Sequence, residues 1–369
     1  MLTARTSLEG KGQLDIHTNS AEAGATVDAT HATVVICAFA SARLEQTVAC
    51  VDSVLRQEPP PAQVVIVVDH NDALEADLRA RLPSDVEIVA NPGPRGLSTA
   101  RNTAIARSRE DYIVFIDDDA VAHDGWLARL LSAFDDPAVI GAGGHARPLW
   151  AEPPPAWFPP ELLWVVGCSY TGLPETGLVR NPLGCNMAFR AQVFRSAGMF
   201  NPAIGRLGSL PLGCEETEFC IRATRVVPNA QIALVSGAGI DHHVPASRGT
   251  VSYLLRRCFF EGISKALVRG LGDQRSLDTE RAYLRRALPA RVRSSLRRAA
   301  GGHVAEGLGL VAALTGAVSA ASAGYLLGLV VFRLRPPAVV TPPPERSPVE
   351  VAPAEPVPPA CVEAGGIQR

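Results

Sequence analysis

The residues of this chain best suited to chemistry are Asp117, Asp118 and Asp119, which follow directly on the apolar run Tyr112-Ile113-Val114-Phe115-Ile116. Adjacent carboxylates repel one another, and the repulsion grows as the site loses water. A divalent cation that bridges them to a phosphate removes it, because hard oxygen ligands suit Mg²⁺ or Mn²⁺. A carboxylate cluster at the C-terminal end of a buried strand also lies where open α/β sheets take their ligands. The same residue types serve in turns and helix N-caps, so the triplet draws its meaning from the rest of the chain. A second acidic pair, Glu215-Glu216, stands just before a helical pattern running from Phe219 to Val226. Asp69 closes the apolar run Val64–Val68, and Arg101 follows the loop Asn91-Pro92-Gly93-Pro94-Arg95-Gly96. An arginine there can meet a phosphate or pair with a sheet-end aspartate. His242 and His243 follow the last apolar strand. Neutral imidazole is an adequate metal ligand, and on an extended segment only one of two neighbours points inward; His242 is the candidate.

These residues need a scaffold, and the hydrophobic pattern supplies one. Strands are predicted at 33–38, 64–68, 86–90, 113–116, 139–142, 183–190 and 230–235, and helices at 44–57, 73–82, 97–108, 126–134 and 253–267. Strands without polar alternation, separated by helices, imply a parallel sheet covered on both faces. Between Arg147 and Pro182 the pattern breaks into Pro-Pro steps and aromatic residues (Trp150, Trp157, Phe158, Trp164), a long loop region of the kind that often carries function. Those aromatics, with Tyr170, suit either an acceptor-side wall or ordinary packing. Residues 199–213 are glycine-rich and expected to be mobile.

The 369 residues suffice for one large or two small domains, and the formal net charge of −2 argues against a nucleic-acid binder. None of the eight cysteines has zinc-site spacing, so they read as small buried hydrophobes in a reducing compartment. Residues 1–31 read as a flexible leader without the basic and apolar regions of a secretory signal, and 336–369 as a Pro-rich disordered tail. Residues 271–335 read as a helical extension. Within it, 307–332 carries no charged residue and has a small-residue row at Gly316, Ala320 and Gly324, with arginines on both sides. That segment is long enough to span or lie on a membrane, or to dock closely on the domain before it.

The strand at 33–38, Asp69, Arg101-Asn102, the aspartate triplet, Gly184-Cys185-Asn186-Met187 and Glu215-Glu216, ahead of a helix that includes Arg222, occur in an order that resembles family 2 glycosyltransferases with the GT-A fold, over roughly residues 33 to 265. The resemblance implies an α/β domain at 32–270 that moves a sugar, with inversion, from a nucleotide-diphosphate-sugar to an acceptor hydroxyl with the help of Mg²⁺ or Mn²⁺. It implies that Asp69 contacts the base, Asp117 the ribose and Asp119 the metal, with His242 beside the metal. It places Asp118, Arg101, Asn186 and Glu215 among the substrate contacts and makes Glu216 the general base, a glutamate where the family pattern has aspartate. The segment Ala40-Ser41-Ala42-Arg43 resembles the loop that cradles the nucleotide. The acceptor implied is a glycan, a lipid-linked sugar or a small molecule in envelope synthesis, and the location the cytoplasm, attached through 307–332 to the inner face of the cell membrane. Two rivals stay open: nucleotidyl transfer to a sugar phosphate, although the loop after the first strand lacks the expected Gly-rich, lysine-containing sequence, and a non-catalytic nucleotide-sugar-binding protein. A processive polysaccharide synthase is rejected, since it needs several spanning helices.

Overall fold

A computed structural model describes residues 29–206, 211–271 and 278–334. The expected leader up to residue 28, the tail from 335 and residues 207–210 of the glycine-rich stretch lie outside the described residues.

The uniformly apolar segments form a sheet buried on both sides. Strands β1 (Ala32–Ala38), β2 (Gln63–Val68), β3 (Glu87–Ala90) and β4 (Tyr112–Asp117) run parallel in the order β3-β2-β1-β4, with Val35 opposite both Val65 and Phe115. Helices α1 (Leu44–Leu55), α2 (Asp72–Arg81) and α3 (Leu97–Arg107) connect them. Beyond β4, the short β5 (Ala120–Ala122) and helix α4 (Trp126–Leu131) lead to β6 (Val139–Gly143) and β7 (Ala146–Trp150). A two-residue β8 (Gly177–Leu178), β9 (Asn186–Arg190), α5 (Ala191–Ala197), α6 (Glu215–Val226), β10 (Gln231–Leu234) and β11 (Ile240–Val244) complete the α/β part.

The sheet is mixed rather than uniformly parallel, because β9 inserts antiparallel between β4 and β6. The chain leaves β6 at its C-terminal end, joins the sheet edge briefly as β8 beside β10, and re-enters the interior of the sheet as β9 pointing the other way. The aromatic segment is therefore held at the carboxylate end of the sheet. It is also less irregular than expected, containing β7 and a 3₁₀ turn at Pro160–Val166. A second, three-stranded sheet sits at this end in the order β5-β11-β7. Its central strand β11, missed in the hydrophobic pattern, sets His242 opposite Ala120.

Both faces of the large sheet are packed. Val34 and Ile36 lie with Val51, Leu74 and Trp126 on one side, and Val35 and Phe115 with Ala104, Phe194 and Phe219 on the other. On the second side Phe194 stacks on Phe219 at 4.7 Å. A third cluster joins Phe158, Leu162 and Val165 to helices α7 (Val251–Gly270), α8 (Asp278–Ala300) and α9 (Val304–Leu334) through Leu254, Leu288 and Leu314. Trp150, Trp157 and Trp164 pack against this cluster, so they serve as the joint to the C-terminal helices.

Candidate active site

Parallel strands deliver their following residues to one edge, and β2 and β4 deliver Asp69 and the triplet there. Asp117 and Asp119 converge with His242 of β11, their ligand atoms all within 4.8 Å of one another. His242 Nε2 lies 3.2 Å from Asp119 Oδ1 and 3.9 Å from Asp117 Oδ2. His242 is 2% exposed, whereas His243 is only half-buried, as strand alternation requires. Room for the ring comes from Gly167, which has φ 89° and whose β-carbon, if present, would lie 3.1 Å from His242 Cε1. Burial resists charge on Asp117 and Asp119, yet His242 and the neighbouring arginines outweigh it and hold both carboxyls below the usual range. Burial likewise resists charge on His242, and the two carboxylates drive its pKa well above the ordinary value.

These features fit a divalent cation. Asp119 Oδ1 is buried, and the group that faces it is the His242 ring at 3.2 Å. Two carboxylates and one imidazole form a donor set that Mn²⁺ or Mg²⁺ accepts. The field that retains a proton on His242 is the field that would retain a metal, and binding the metal would release that proton.

Asp118 goes elsewhere. It is 2% exposed and lies 2.6 Å from Arg43 Nη1. Burial, reinforced by Asp119 and Asp117 and opposed by Arg43, pushes it up to about 7. Asp118, expected among the substrate contacts, here braces Arg43. Arg43 also reaches Asp119 Oδ2 at 3.1 Å, and Arg248 approaches the same oxygen at 3.8 Å while donating to Val166 O at 3.1 Å. Neither arginine was singled out from the sequence as a site residue, although Arg43 belonged to the proposed cradle loop. A lone arginine before α1 and another before α7 were the only signals.

The remaining candidates divide between cleft and scaffold. Asp69 accepts from Asn91 Nδ2 at 2.7 Å and from Gly96 N at 3.0 Å, so it pins the Gly/Pro loop at the end of β2. His70 beside it, at φ 56°, places Nδ1 2.8 Å from Asp69 Oδ1. Arg101 is 2% exposed, sandwiched against Phe115 and Phe200, and bonded to Glu215 Oε1 at 2.7 Å and Gly184 O at 2.8 Å. It stands 3.7 Å from Asp117. Arg101 and Glu215, both expected among the substrate contacts, form an internal pair that ties the aspartate triplet to α6, and pairing with a sheet-end aspartate is one of the two roles the sequence leaves open to Arg101. Asn186 is fully buried: it accepts from Trp126 Nε1 at 2.9 Å and donates to Ala238 O at 2.9 Å and His145 O at 3.1 Å. Its amide joins α4, β9 and the segment before β11.

Helix α6 begins at Glu215, so the acidic pair occupies its first turn rather than the loop before it. The preceding Cys214 has φ 71°, a left-handed conformation that costs a non-glycine residue about 1–2 kcal/mol. Glu216 is half-buried and accepts from Thr217 Oγ1 at 3.1 Å. Burial, with the charge of Glu215, pushes Glu216 up to about 7, against the pull of Lys265. That value suits a group that takes a proton near neutral pH. Glu261 of α7, near it, is half-buried yet held down at about 2 by Lys265 and Arg257. Arg257 lies 2.8 Å and Lys265 3.3 Å from it.

The family model of glycosyl transferase family 2 matches residues 33–198. Over 263 residues the chain is 33% identical to a glucosyl-dolichyl phosphate glucuronosyltransferase of Haloferax volcanii, covering 68% of this chain and 81% of that one. It is 26% identical to the succinoglycan biosynthesis protein ExoM of Rhizobium meliloti, covering 63% of this chain and 73% of that one. Among solved structures, a mannosyltransferase of Pyrobaculum calidifontis in complex with GDP-Man and Mn²⁺ superposes with a TM-score of 0.54 at 18% identity, covering 83% of this chain and 87% of that one. The likeness to that structure is one of fold.

Proposed function

The chain belongs to glycosyl transferase family 2, and on that premise we propose that this glycosyltransferase moves a sugar from a nucleotide-diphosphate-sugar to an acceptor hydroxyl, with inversion and with the aid of a divalent cation. The observation that carries the reading is the convergence of Asp117, Asp119 and His242 within 4.8 Å at the carboxylate end of the sheet. Asp119 and His242 would hold the cation, joined by Asp117, which the resemblance assigns to the ribose, and the cation when bound would act as a Lewis acid on the diphosphate oxygens. Arg43 and Arg248 add positive charge on the same side, suited to the leaving diphosphate. Asp69, at the end of β2, faces the base.

Glu216 takes the proton of the acceptor hydroxyl as its oxygen bonds to the anomeric carbon and the bond from that carbon to the diphosphate oxygen breaks. The nucleoside diphosphate leaves with the bonding pair, and one displacement inverts the anomeric centre. The buried Arg101–Glu215 pair holds the first turn of α6 against β4, fixing where Glu216 stands.

A lipid-linked acceptor at the inner face of the cell membrane is favoured over a free glycan. The Haloferax relative is named for a glucosyl-dolichyl phosphate substrate, and α9 is an apolar helix of membrane length, with mean hydropathy 1.7 over its most apolar window. The test is a donor screen that follows nucleoside diphosphate release with and without Mn²⁺, using polyprenyl-phosphate sugars and soluble sugars as acceptors. Metal-dependent release that requires a lipid-linked acceptor supports the reading. Release of pyrophosphate from a nucleoside triphosphate and a sugar phosphate would replace it with nucleotidyl transfer.

A further inference from the structure

We propose that the outward face of α9 lies flat on an anionic lipid surface as an interfacial helix held by arginines at its C-terminal end, and does not cross the bilayer. This deepens the membrane placement above and is tested by lipid binding, so it fails or survives independently of the transferase chemistry.

The inner face of α9 is already committed. A β-carbon on Gly324 would lie 1.9 Å from Phe259 O, one on Gly328 2.6 Å from Ala266 Cβ, and one on Gly262 of α7 2.0 Å from Ala321 O. Such close approach is what rows of small residues permit. The contacts advance together along both helices, Leu255 meeting Gly316 and Ala266 meeting Gly328, so α7 lies parallel to α9. A spanning α9 would have to carry α7 into hydrocarbon or be stripped from it. α7 holds the ion network of Arg257, Glu261 and Lys265, and Glu261 accepts from Cys214 Sγ at 3.3 Å. Charged groups at bilayer depth are costly, and these groups also support the turn that carries Glu216.

The outer face is uncharged from residue 307 to 332. Val304, Leu308, Leu326 and Val330 are 52–63% exposed and, at helical spacing, lie on one side together with the exposed Thr315, Ser319 and Ser322. Three hydroxyls on the outward side suit headgroup depth, where water still reaches them, better than hydrocarbon. Near the start of this face Arg298 of α8 is paired with Glu306 at 3.0 Å, on the opposite side of α9, and the basic groups of the face lie at its other end. At its end are Arg269, which donates to Tyr325 Oη at 2.5 Å, and Arg333. These two flank a cavity of about 430 Å³ lined by Ala266, Leu329, Val330 and Phe332, an apolar slot with guanidinium groups at its rim. A second copy of the chain seated on this face in parallel would set Arg269 and Arg333 against their own counterparts, whereas lipid phosphates satisfy them, with acyl chains against the apolar side chains along the helix.

The experiment uses the purified full chain, sedimented with vesicles of phosphatidylcholine alone or with added phosphatidylglycerol, and membranes from expressing cells washed with alkaline carbonate. The expected result is at least tenfold tighter binding to the anionic vesicles, release by carbonate, and at least tenfold weaker binding of Leu326→Glu/Val330→Glu with an unchanged circular-dichroism melt. Arg269→Ala/Arg333→Ala should lose about fivefold per arginine, with the loss erased in high salt. Resistance to carbonate would overturn the proposal in favour of a spanning helix. Absence of vesicle binding together with a dimer abolished by Leu326→Glu/Val330→Glu would overturn it in favour of self-association. Equal vesicle binding by both double variants and the unaltered chain would show that another surface meets the lipid.

Discussion

Two acidic clusters stand at the same end of the sheet, and each contains a carboxyl raised to about 7: Asp118 in the triplet and Glu216 at the start of α6. In both, burial is the main cause and a neighbouring carboxylate adds to it. Their surroundings differ. Asp118 is 2% exposed and closed off by Arg43, so no hydroxyl can reach it. Glu216 is half-buried, and its closest neighbours are held by Arg101 and Lys265. A raised carboxyl is therefore a base only where geometry admits the proton donor. The companion residues show the converse: Asp117 and Asp119 are held ionised by His242 and the arginines, which suits holding a cation rather than accepting a proton.

Substitutions test this division. The largest loss is expected from Asp119→Asn, which removes a metal ligand and the partner of His242, Arg43 and Arg248 at once. Mn²⁺-dependent turnover should disappear, and Mn²⁺ affinity, followed by electron paramagnetic resonance, should fall beyond the roughly 10–100-fold that changes around a ligand cost. Turnover that persists at saturating Mn²⁺ would move the cation elsewhere. Glu216→Gln keeps shape and hydrogen bonding but accepts no proton, so kcat should drop about 10²–10⁴-fold with near-normal donor affinity. A loss of donor affinity at constant kcat would make Glu216 a binding residue. Asp118→Asn should cost less than about tenfold in kcat, because a carboxyl titrating near 7 is already partly neutral and never meets the acceptor. Smallest in turnover is Asn186→Ala, for which KM should hold. Leaving the buried Trp126 N–H without its acceptor costs about 1–3 kcal/mol, visible as a lowered Tm.

The strand–helix alternation was legible because strands buried on both faces carry continuous apolar runs, and the triplet was legible because it closes such a run. The direction of β9 was not, since an apolar run of Met187-Ala188-Phe189 looks the same pointing either way. β11 was hidden for a related reason: Asp241 and His243 interrupt Ile240, His242 and Val244, and the inward histidine breaks the apolar rhythm of a strand whose function is to present it. Arg101, Glu215 and Asn186 were found as important positions. Their partners, Phe115 and Phe200, Gly184, Trp126 and Ala238, are brought near only by the fold. Arg43 and Arg248 were missed as site residues because their pairing with the triplet is likewise tertiary.

The assignment of Glu216 rather than Asp118 as the group that takes the acceptor proton is tested most directly by the pH dependence of kcat, with Mn²⁺ and both substrates saturating, for the unaltered enzyme, Glu216→Gln and Asp118→Asn. A base works only when unprotonated, and Glu216 stands at about 7. For the unaltered enzyme and Asp118→Asn, kcat should therefore rise about tenfold per pH unit below 7 and level off above it. In Glu216→Gln that inflection should vanish, leaving a low, flat rate. An inflection that survives in Glu216→Gln and disappears in Asp118→Asn would contradict the account.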